Sequence, residues 1–346
     1  GKIYKKKILY KFPKLTKLVR SVRHINEYKK MLYNPENNPN KFDGYDFIHF
    51  HRTSDMYKQR KNLVEFKGKT ILTSHSPIPL AQELQAACAT EFEKRFYKKR
   101  IMDFEEMDRW SFMHADYIVF PCPEAEEPYF NNWREYAEIK KKRKDHYRYV
   151  LTGISTKKAL VSKKDVRKKY GVKDDDLLLV YVGRHNEIKG YANLKQIGNS
   201  ILNKNIQTKF LIAGNEGPLT RLENPNWIEV GFTKDPYSLI SAGDIFILPN
   251  RETYFDLVFI EVLSLGKIIV ASRTGGNRYY EKNNVKGVFL YDTLEEAEEL
   301  IEKIRLMPSE EKKEREKANR EFYEKNLTSK VFFDNYKKLM SALEVN

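Results

Sequence analysis

The chain has 346 residues, is 41% hydrophobic and carries a formal charge of +15. Its length exceeds what one hydrophobic core ordinarily organises, so two domains are expected, and no apolar run is long enough to span a bilayer. Two cysteines, Cys88 and Cys122, exclude a disulfide framework and lack metal-ligand spacing, which fits a reducing compartment.

Taken in order, Lys7 to Phe12 reads as a short strand and Leu15 to Leu32 as a basic helix ending before Asn34 and Pro35. This opening is strongly charged: residues 1–30 hold eleven Lys or Arg against the single acid Glu27. No apolar segment follows it as a secretory leader requires, so the chain is expected in the cytoplasm. Residues 34–44, rich in Asn, Pro and Gly, form a loop. Strands are then predicted at Tyr45 to His51, Lys69 to His75 and Asp116 to Pro121, with one mixed-charge helix from Ala81 to Met113. A basic cluster, Lys140 to Lys144, stands before a predicted strand from Tyr149 to Leu151. The domain boundary is placed near Gly153, giving domains 1–153 and 154–328.

The second half is better patterned. Leu177 to Val182 is an apolar run that stops at Gly183 and presents the cation Arg184; Lys189 and Gly190 follow, then an amphipathic helix through Ile201. Further strands are predicted at Lys209 to Gly214, Asp244 to Pro249 and Lys267 to Ser272, with a helix carrying Glu261 between the last two. Leu294 to Met307 is helical, with acids early and Lys303 and Arg305 late, as the helix dipole favours. A charged run, Ser309 to Arg320, precedes a last helix from Ser329 to Leu343. Strands alternating with helices make this an α/β chain with parallel sheets. Ligands of such sheets sit beyond the carboxyl ends of the strands, where Arg184, Lys189, Asn215 and Glu252 fall.

In sequence order, Gly183-Arg184 with Lys189-Gly190, Ala213-Gly214, Gly231-Phe232, Ala242 to Asp244 with Pro249, Phe255 to Glu261 with Gly266, Ala271-Ser272 and Gly275-Gly276 make a pattern. It resembles family 4 of the retaining nucleotide-sugar glycosyltransferases. The resemblance covers the second half; the first half shares only the strand ends around His49, His51, His75 and Asp116 to Phe120. It implies the GT-B fold, two facing Rossmann-like domains with an interdomain cleft. The first domain would bind acceptor and be compact, the second would bind donor, and the final helix, 329–346, would pack back on the first.

A sugar donor with a diphosphate leaving group needs cations where charge accumulates as its bond to the sugar breaks. The resemblance assigns that task to Arg184 and Lys189 with no metal and no cofactor besides the donor substrate, and the sequence has no Asp-x-Asp motif. It gives Glu261 the ribose hydroxyls, a task for an acceptor-only carboxylate, and puts Gly231 and Phe232 near the base. Gly183, Asn215, Leu257 and Val258 join the donor set. Gly275 and Gly276 are expected to let backbone approach the ligand and to offer amide donors. His75 would reach the donor sugar, while His51 and Ser76 would face acceptor. Two departures stand out. The glutamate expected eight residues before Glu261 is Thr253, with Glu252 one position away, and Asp256 replaces a usual glycine; either Glu252 still reaches the sugar or Thr253 and Asp256 hold it differently. No glycine-rich loop follows Phe12, and Lys14 or Lys17 is the available substitute.

The resemblance thus implies transfer of a hexosyl group to a glycan or lipid-linked acceptor in surface polysaccharide or glycoconjugate assembly, with the basic clusters touching the anionic inner face of the cell membrane. A catalytically inactive accessory subunit on the same fold is the alternative. A phosphorylase or epimerase and, from charge alone, a nucleic-acid binder are rivals; the second-half pattern favours a nucleotide-sugar over a nucleic acid.

Overall fold

The computed structural model describes residues 35–76, 78–88, 91–204 and 207–344. The expected strand Lys7 to Phe12, the basic helix Leu15 to Leu32, and with them Lys14 and Lys17, lie outside those residues. Two compact units emerge. One takes the chain through Phe120 together with Tyr129–Tyr149, and the other takes Pro121–Pro128 together with everything from Val150.

The first unit holds a four-stranded parallel sheet in the order β1-β2-β3-β4. Its strands are β1 (Phe47–Phe50), β2 (Lys69–Leu72), β3 (Tyr117–Phe120) and β4 (Tyr147–Tyr149). Helices α1 (Thr53–Lys58), α2 (Leu80–Ala87), α3 (Glu91–His114), α4 (Glu127–Asn132) and α5 (Tyr136–Lys142) connect them, α4 starting in the segment that belongs to the other unit. The single helix expected over 81–113 is therefore two, because Cys88 takes an extended conformation (φ −67°, ψ 127°) at the end of α2. The strand expected at Tyr149 to Leu151 begins two residues earlier, at Tyr147, whose ring lies inside and stacks on Phe120 with centroids 6.1 Å apart.

Aromatic rings dominate this core: Phe112, Phe120, Tyr129, Trp133, Tyr136 and Tyr147 are buried against one another. One carboxylate is buried with them. Asp108 accepts from Thr53 Oγ1 at 2.6 Å and from the Ala81 amide at 3.1 Å, tying α1 and α2 to α3. Loss of water raises its pKa to about 7 despite those two donors.

The second unit is a six-stranded parallel sheet in the order β10-β9-β8-β5-β6-β7. The strands are β5 (Leu177–Val182), β6 (Thr208–Ala213), β7 (Trp227–Gly231), β8 (Ile245–Leu248), β9 (Ile268–Ser272) and β10 (Val288–Tyr291). Its helices are α6 (Lys163–Lys169), α7 (Tyr191–Asn203), α8 (Pro236–Ala242), α9 (Leu257–Ser264), α10 (Asn277–Lys282), α11 (Leu294–Leu306), α12 (Ser309–Asn326) and α13 (Ser329–Glu344). From β5 the chain builds outward to β7, then returns and builds the other way from β8. The order thus reverses between β5 and β8, as in doubly wound dinucleotide-binding sheets. Leu179, Tyr181, Phe210, Ile212, Ile247 and Val270 from the strands pack on Leu194, Ile197 and Ile301 from the helices.

Residues 309–320 become a helix because its acids and bases fall three or four apart. Lys313 meets Glu310 at 2.8 Å, and Arg315 meets Glu311 at 2.7 Å. One face of α12 is anchored by buried Asn319, which donates to the Lys267 carbonyl at 2.7 Å and accepts from the Gly287 amide at 3.0 Å. Helix α13 groups with the second unit. The short segment Pro121–Pro128 is held to α10 by two ion pairs, Glu124 with Lys282 at 2.6 Å and Glu127 with Arg278 at 2.9 Å. No described helix is long and apolar enough to cross a membrane.

Candidate functional site

At the reversal point of the second sheet, the loop after β5 and the loop after β8 are tied together. Gly190 has a left-handed φ of 63°, and a Cβ there would overlap the Pro249 carbonyl. The Arg251 amide donates to the Ile188 carbonyl at 3.0 Å, and the Arg251 guanidinium meets Glu187 at 3.1 Å. Lys189 from the first loop ion-pairs with Asp256 from the second. Below them His185 is fully buried, stacked on Tyr191 at 3.9 Å, with Nε2 3.7 Å from a Glu229 oxygen. Its pKa is lowered, burial outweighing the attraction of Glu229.

Arg184 and Lys189 thus leave the same loop in different states. The Arg184 residue is exposed, and its guanidinium has no hydrogen-bond or ion-pair partner among the described residues; only its carbonyl is held, by Tyr181 Oη at 2.9 Å. Lys189 is committed to Asp256, whose Oδ2 also accepts from Asn250 Nδ2 at 2.8 Å. Asp256 caps α9 as well, accepting the Val258 amide on Oδ1 at 3.4 Å.

Around this corner the remaining expected residues separate by exposure. Asn215 after β6, Phe232 after β7 and Leu257 at the start of α9 are exposed. Gly183 is fixed by its amide to Ala213 at 2.9 Å, and Gly231 ends β7 with φ 72°. Glu252 is half-buried, whereas Thr253 is buried and its hydroxyl accepts from Asn250 at 3.3 Å. Glu261, one turn into α9, accepts from Tyr237 at 3.1 Å and lies 3.7 Å from Lys157. Burial raises its pKa against both of those partners.

Gly275 and Gly276 approach closely, as expected of a glycine pair, but what they approach is backbone. With φ 47°, Gly275 passes the Thr253 carbonyl so closely that a Cβ would overlap it. Their amides have protein acceptors: Gly276 donates to the Thr253 carbonyl at 3.2 Å and Gly275 to Glu127 at 3.1 Å.

His75, His51 and Ser76 belong to the first unit, at the carboxyl ends of β1 and β2. His51 Nδ1 and His75 Nε2 share one hydrogen bond at 2.9 Å, and the rings of His49, His51 and His75 form a stack with neighbouring centroids at 4.3 and 5.1 Å. Desolvation, then the charges of His51 and Arg52, lower the His75 pKa; desolvation and the same histidine neighbours push His49 to about 4. Ser76 donates to Glu83 at 3.1 Å. In the basic cluster, Lys140 lies 3.4 Å over the Tyr147 ring and Arg143 donates to the Ala115 carbonyl, leaving Lys141, Lys142 and Lys144 exposed.

Asn250, Glu187, Arg251, Glu127 and His185 were not anticipated from the sequence. All five act through tertiary contacts between segments, which spacing along one chain does not show.

The second unit is a doubly wound α/β domain with an exposed guanidinium, Arg184, at its reversal point and a carboxylate, Glu261, one turn into α9. Residues 162–325 match the family model Glycosyl transferases group 1. Over 135 residues, 36% of this chain, the sequence is 27% identical to an uncharacterized glycosyltransferase of Methanocaldococcus jannaschii, and the match spans 34% of that relative's length. In structure the chain is similar to the sucrose-phosphate synthase of Thermosynechococcus elongatus, with TM-score 0.64 and 19% identity, covering 86% of this chain and 75% of that one. It is similar also to Anabaena HepE in complex with UDP-glucose, with TM-score 0.65 and 14% identity, covering 88% of this chain and 80% of that one. Two parallel α/β units with these neighbours make the fold GT-B.

Proposed function

We propose that the protein is a retaining, metal-independent glycosyltransferase that moves a hexosyl group from a nucleoside-diphosphate sugar to a glycan or lipid-linked acceptor. The observation that carries this reading is Arg184, a guanidinium with no partner among the described residues, at the sheet reversal inside the stretch that matches Glycosyl transferases group 1. A guanidinium presents several fixed donors to phosphate oxygens and stabilises the charge that builds as the sugar departs. Lys189 stands beside the same diphosphate with its charge shared by Asp256 and so contributes less than Arg184. Glu261 takes the ribose hydroxyls on its second oxygen, the first being held by Tyr237. Phe232, 71% exposed, offers its ring to the base. Glu252 is the residue for the donor sugar, since Thr253 is buried and engaged.

In the first unit His75 acts on the donor sugar and His51 with Ser76 on the acceptor. The exposed Lys141, Lys142 and Lys144 suit a surface of anionic lipid at the inner face of the cell membrane and a role in surface polysaccharide or glycoconjugate assembly. A uridine nucleotide is the first donor to test, because HepE was captured with UDP-glucose.

The experiment is a thermal-shift panel of UDP, GDP, ADP and their glucose derivatives, followed by turnover with the winning sugar nucleotide. A ligand that binds only the folded protein raises its melting temperature by mass action. Arg184→Ala is expected to lower turnover by about 100-fold to 1,000-fold, the scale of losing one preorganised charge-stabilising group. Binding of a nucleoside diphosphate without transfer or hydrolysis of any sugar would establish the accessory-subunit reading instead.

A further inference from the structure

Asp256 replaces the glycine usual in the resembled glycosyltransferases, and its carboxylate takes up two groups that a glycine would leave open to an anion. Oδ2 receives the Lys189 ammonium, and Oδ1 receives the Val258 amide at the start of α9. The carboxylate is also held from behind. Asn250, 2% exposed, donates to Oδ2 at 2.8 Å, and its own carbonyl accepts from Ser272 Oγ at 2.6 Å. The pair is partly withdrawn from water, with 25% of the Lys189 side chain and 13% of the Asp256 side chain exposed, so its charges are less screened than on an open surface. Arg184 on the same loop has no such partner among the described residues.

We infer that Asp256 is a specificity-determining residue that cancels the charge of Lys189, so that the corner holds the sugar-bearing donor in preference to the free nucleoside diphosphate. The inference rests on the donor reading proposed above. When the sugar leaves, the diphosphate gains a terminal oxygen whose second ionisation lies near pH 6, at about 6, and so gains charge at neutral pH. Two open cations would draw that added charge strongly and retain the product. With Lys189 balanced by Asp256, only Arg184 responds in full, and the product is released more readily.

Calorimetric titration of UDP, GDP, ADP and their glucose derivatives into wild type, Asp256→Asn, Lys189→Met and the double variant tests this. Asparagine keeps the shape, and its oxygen can keep the helix cap, while the Lys189 and Asn250 contacts are given up with the charge, so the check on folding is a single cooperative melt at a modestly lower temperature. Asp256→Asn should tighten the free nucleoside diphosphate about tenfold and its sugar derivative by less, the scale of one unit charge at partly screened contact distance. In the Lys189→Met background that difference should vanish. Equal tightening of both ligands, or weakening of either, overturns the inference while leaving the donor reading intact. If wild type binds none of the six nucleotides, the donor reading fails and this one with it.

Discussion

The two units bury different kinds of side chain, and the contrast explains which of them reads easily from the sequence. Strands β5, β6, β8 and β9 are rich in buried Leu, Ile, Val and Phe, because helices cover both faces of a doubly wound parallel sheet. The first unit instead packs Phe112, Tyr129, Trp133, Tyr136 and Tyr147 around shorter strands, buries Asp108, and carries half-buried His49 stacked on His51. Each unit nevertheless buries a titratable group whose surroundings shift it, Asp108 upward in the first and His185 downward in the second.

Four measurements sharpen or break that contrast, and they follow from largest effect to smallest. Gly190→Ala places a Cβ on the Pro249 carbonyl at a left-handed φ of 63°, which should cost the second unit about 3 to 4 kcal/mol from strain and overlap together. Urea denaturation followed through Trp227, the tryptophan of that unit, reads it, and an unchanged midpoint would mean that the two loops are not interlocked. Asp108→Ala strips the acceptors from Thr53 and the Ala81 amide and should destabilise the first unit by about 2 to 3 kcal/mol. Trp110 and Trp133 report it in a Trp227→Phe background.

The pH response comes third. Asp108 has a folded pKa raised to about 7, so its contribution is full below its unfolded value and is lost as pH rises through 7. His49 has a folded pKa lowered to about 4, so its contribution is present above its unfolded value and is lost as pH falls through 4. The two slopes oppose each other over the interval they share. Asp108 should therefore blunt the acid loss in wild type, to which His75 and His185, also shifted down, add, and Asp108→Asn should steepen it by about 2 kcal/mol. A profile in that variant no steeper than that of wild type would remove Asp108 from the account. Last and smallest, Lys140→Gln should cost about 0.5 to 1 kcal/mol through the Tyr147 ring, whereas Lys141→Gln should leave stability alone and weaken sedimentation with anionic vesicles. Equal effects from both would mean that the cluster is uniformly solvated.

Much of the second unit was legible in the sequence because its signals are local. Leu177 to Val182 followed by Gly183 and Arg184 marks a buried strand and its carboxyl end, and the real strand ends at Val182. Strands β7 and β10 escaped notice: β7 is Trp227–Gly231 with Glu229 inside it, and β10 has only four residues. The charged run 309–320 does not look like a packed element, yet α12 is held by its own ion pairs and by Asn319. Near the proposed site, Arg184 was readable as the cation at a strand end and Gly190 as the turn before a helix, whereas Glu261 was singled out only by the resemblance. That Lys189 is paired with Asp256, and the Gly275 amide with Glu127, was not readable, because the partners lie 67 and 148 residues apart and meet only after the sheet has formed.

The eight residues from Pro121 to Pro128 have a consequence for dissecting the molecule. They belong with the later part of the chain although the polypeptide returns to the earlier part before leaving it for good at Tyr149. A fragment begun at Val150 would therefore leave Lys282 and Arg278 without Glu124 and Glu127, and the Gly275 amide without its acceptor. Such a fragment would gather buffer anions at that edge and give misleading nucleotide affinities. Limited proteolysis of the whole chain, or a fragment supplemented with the octapeptide, is the sounder way to study that half in isolation.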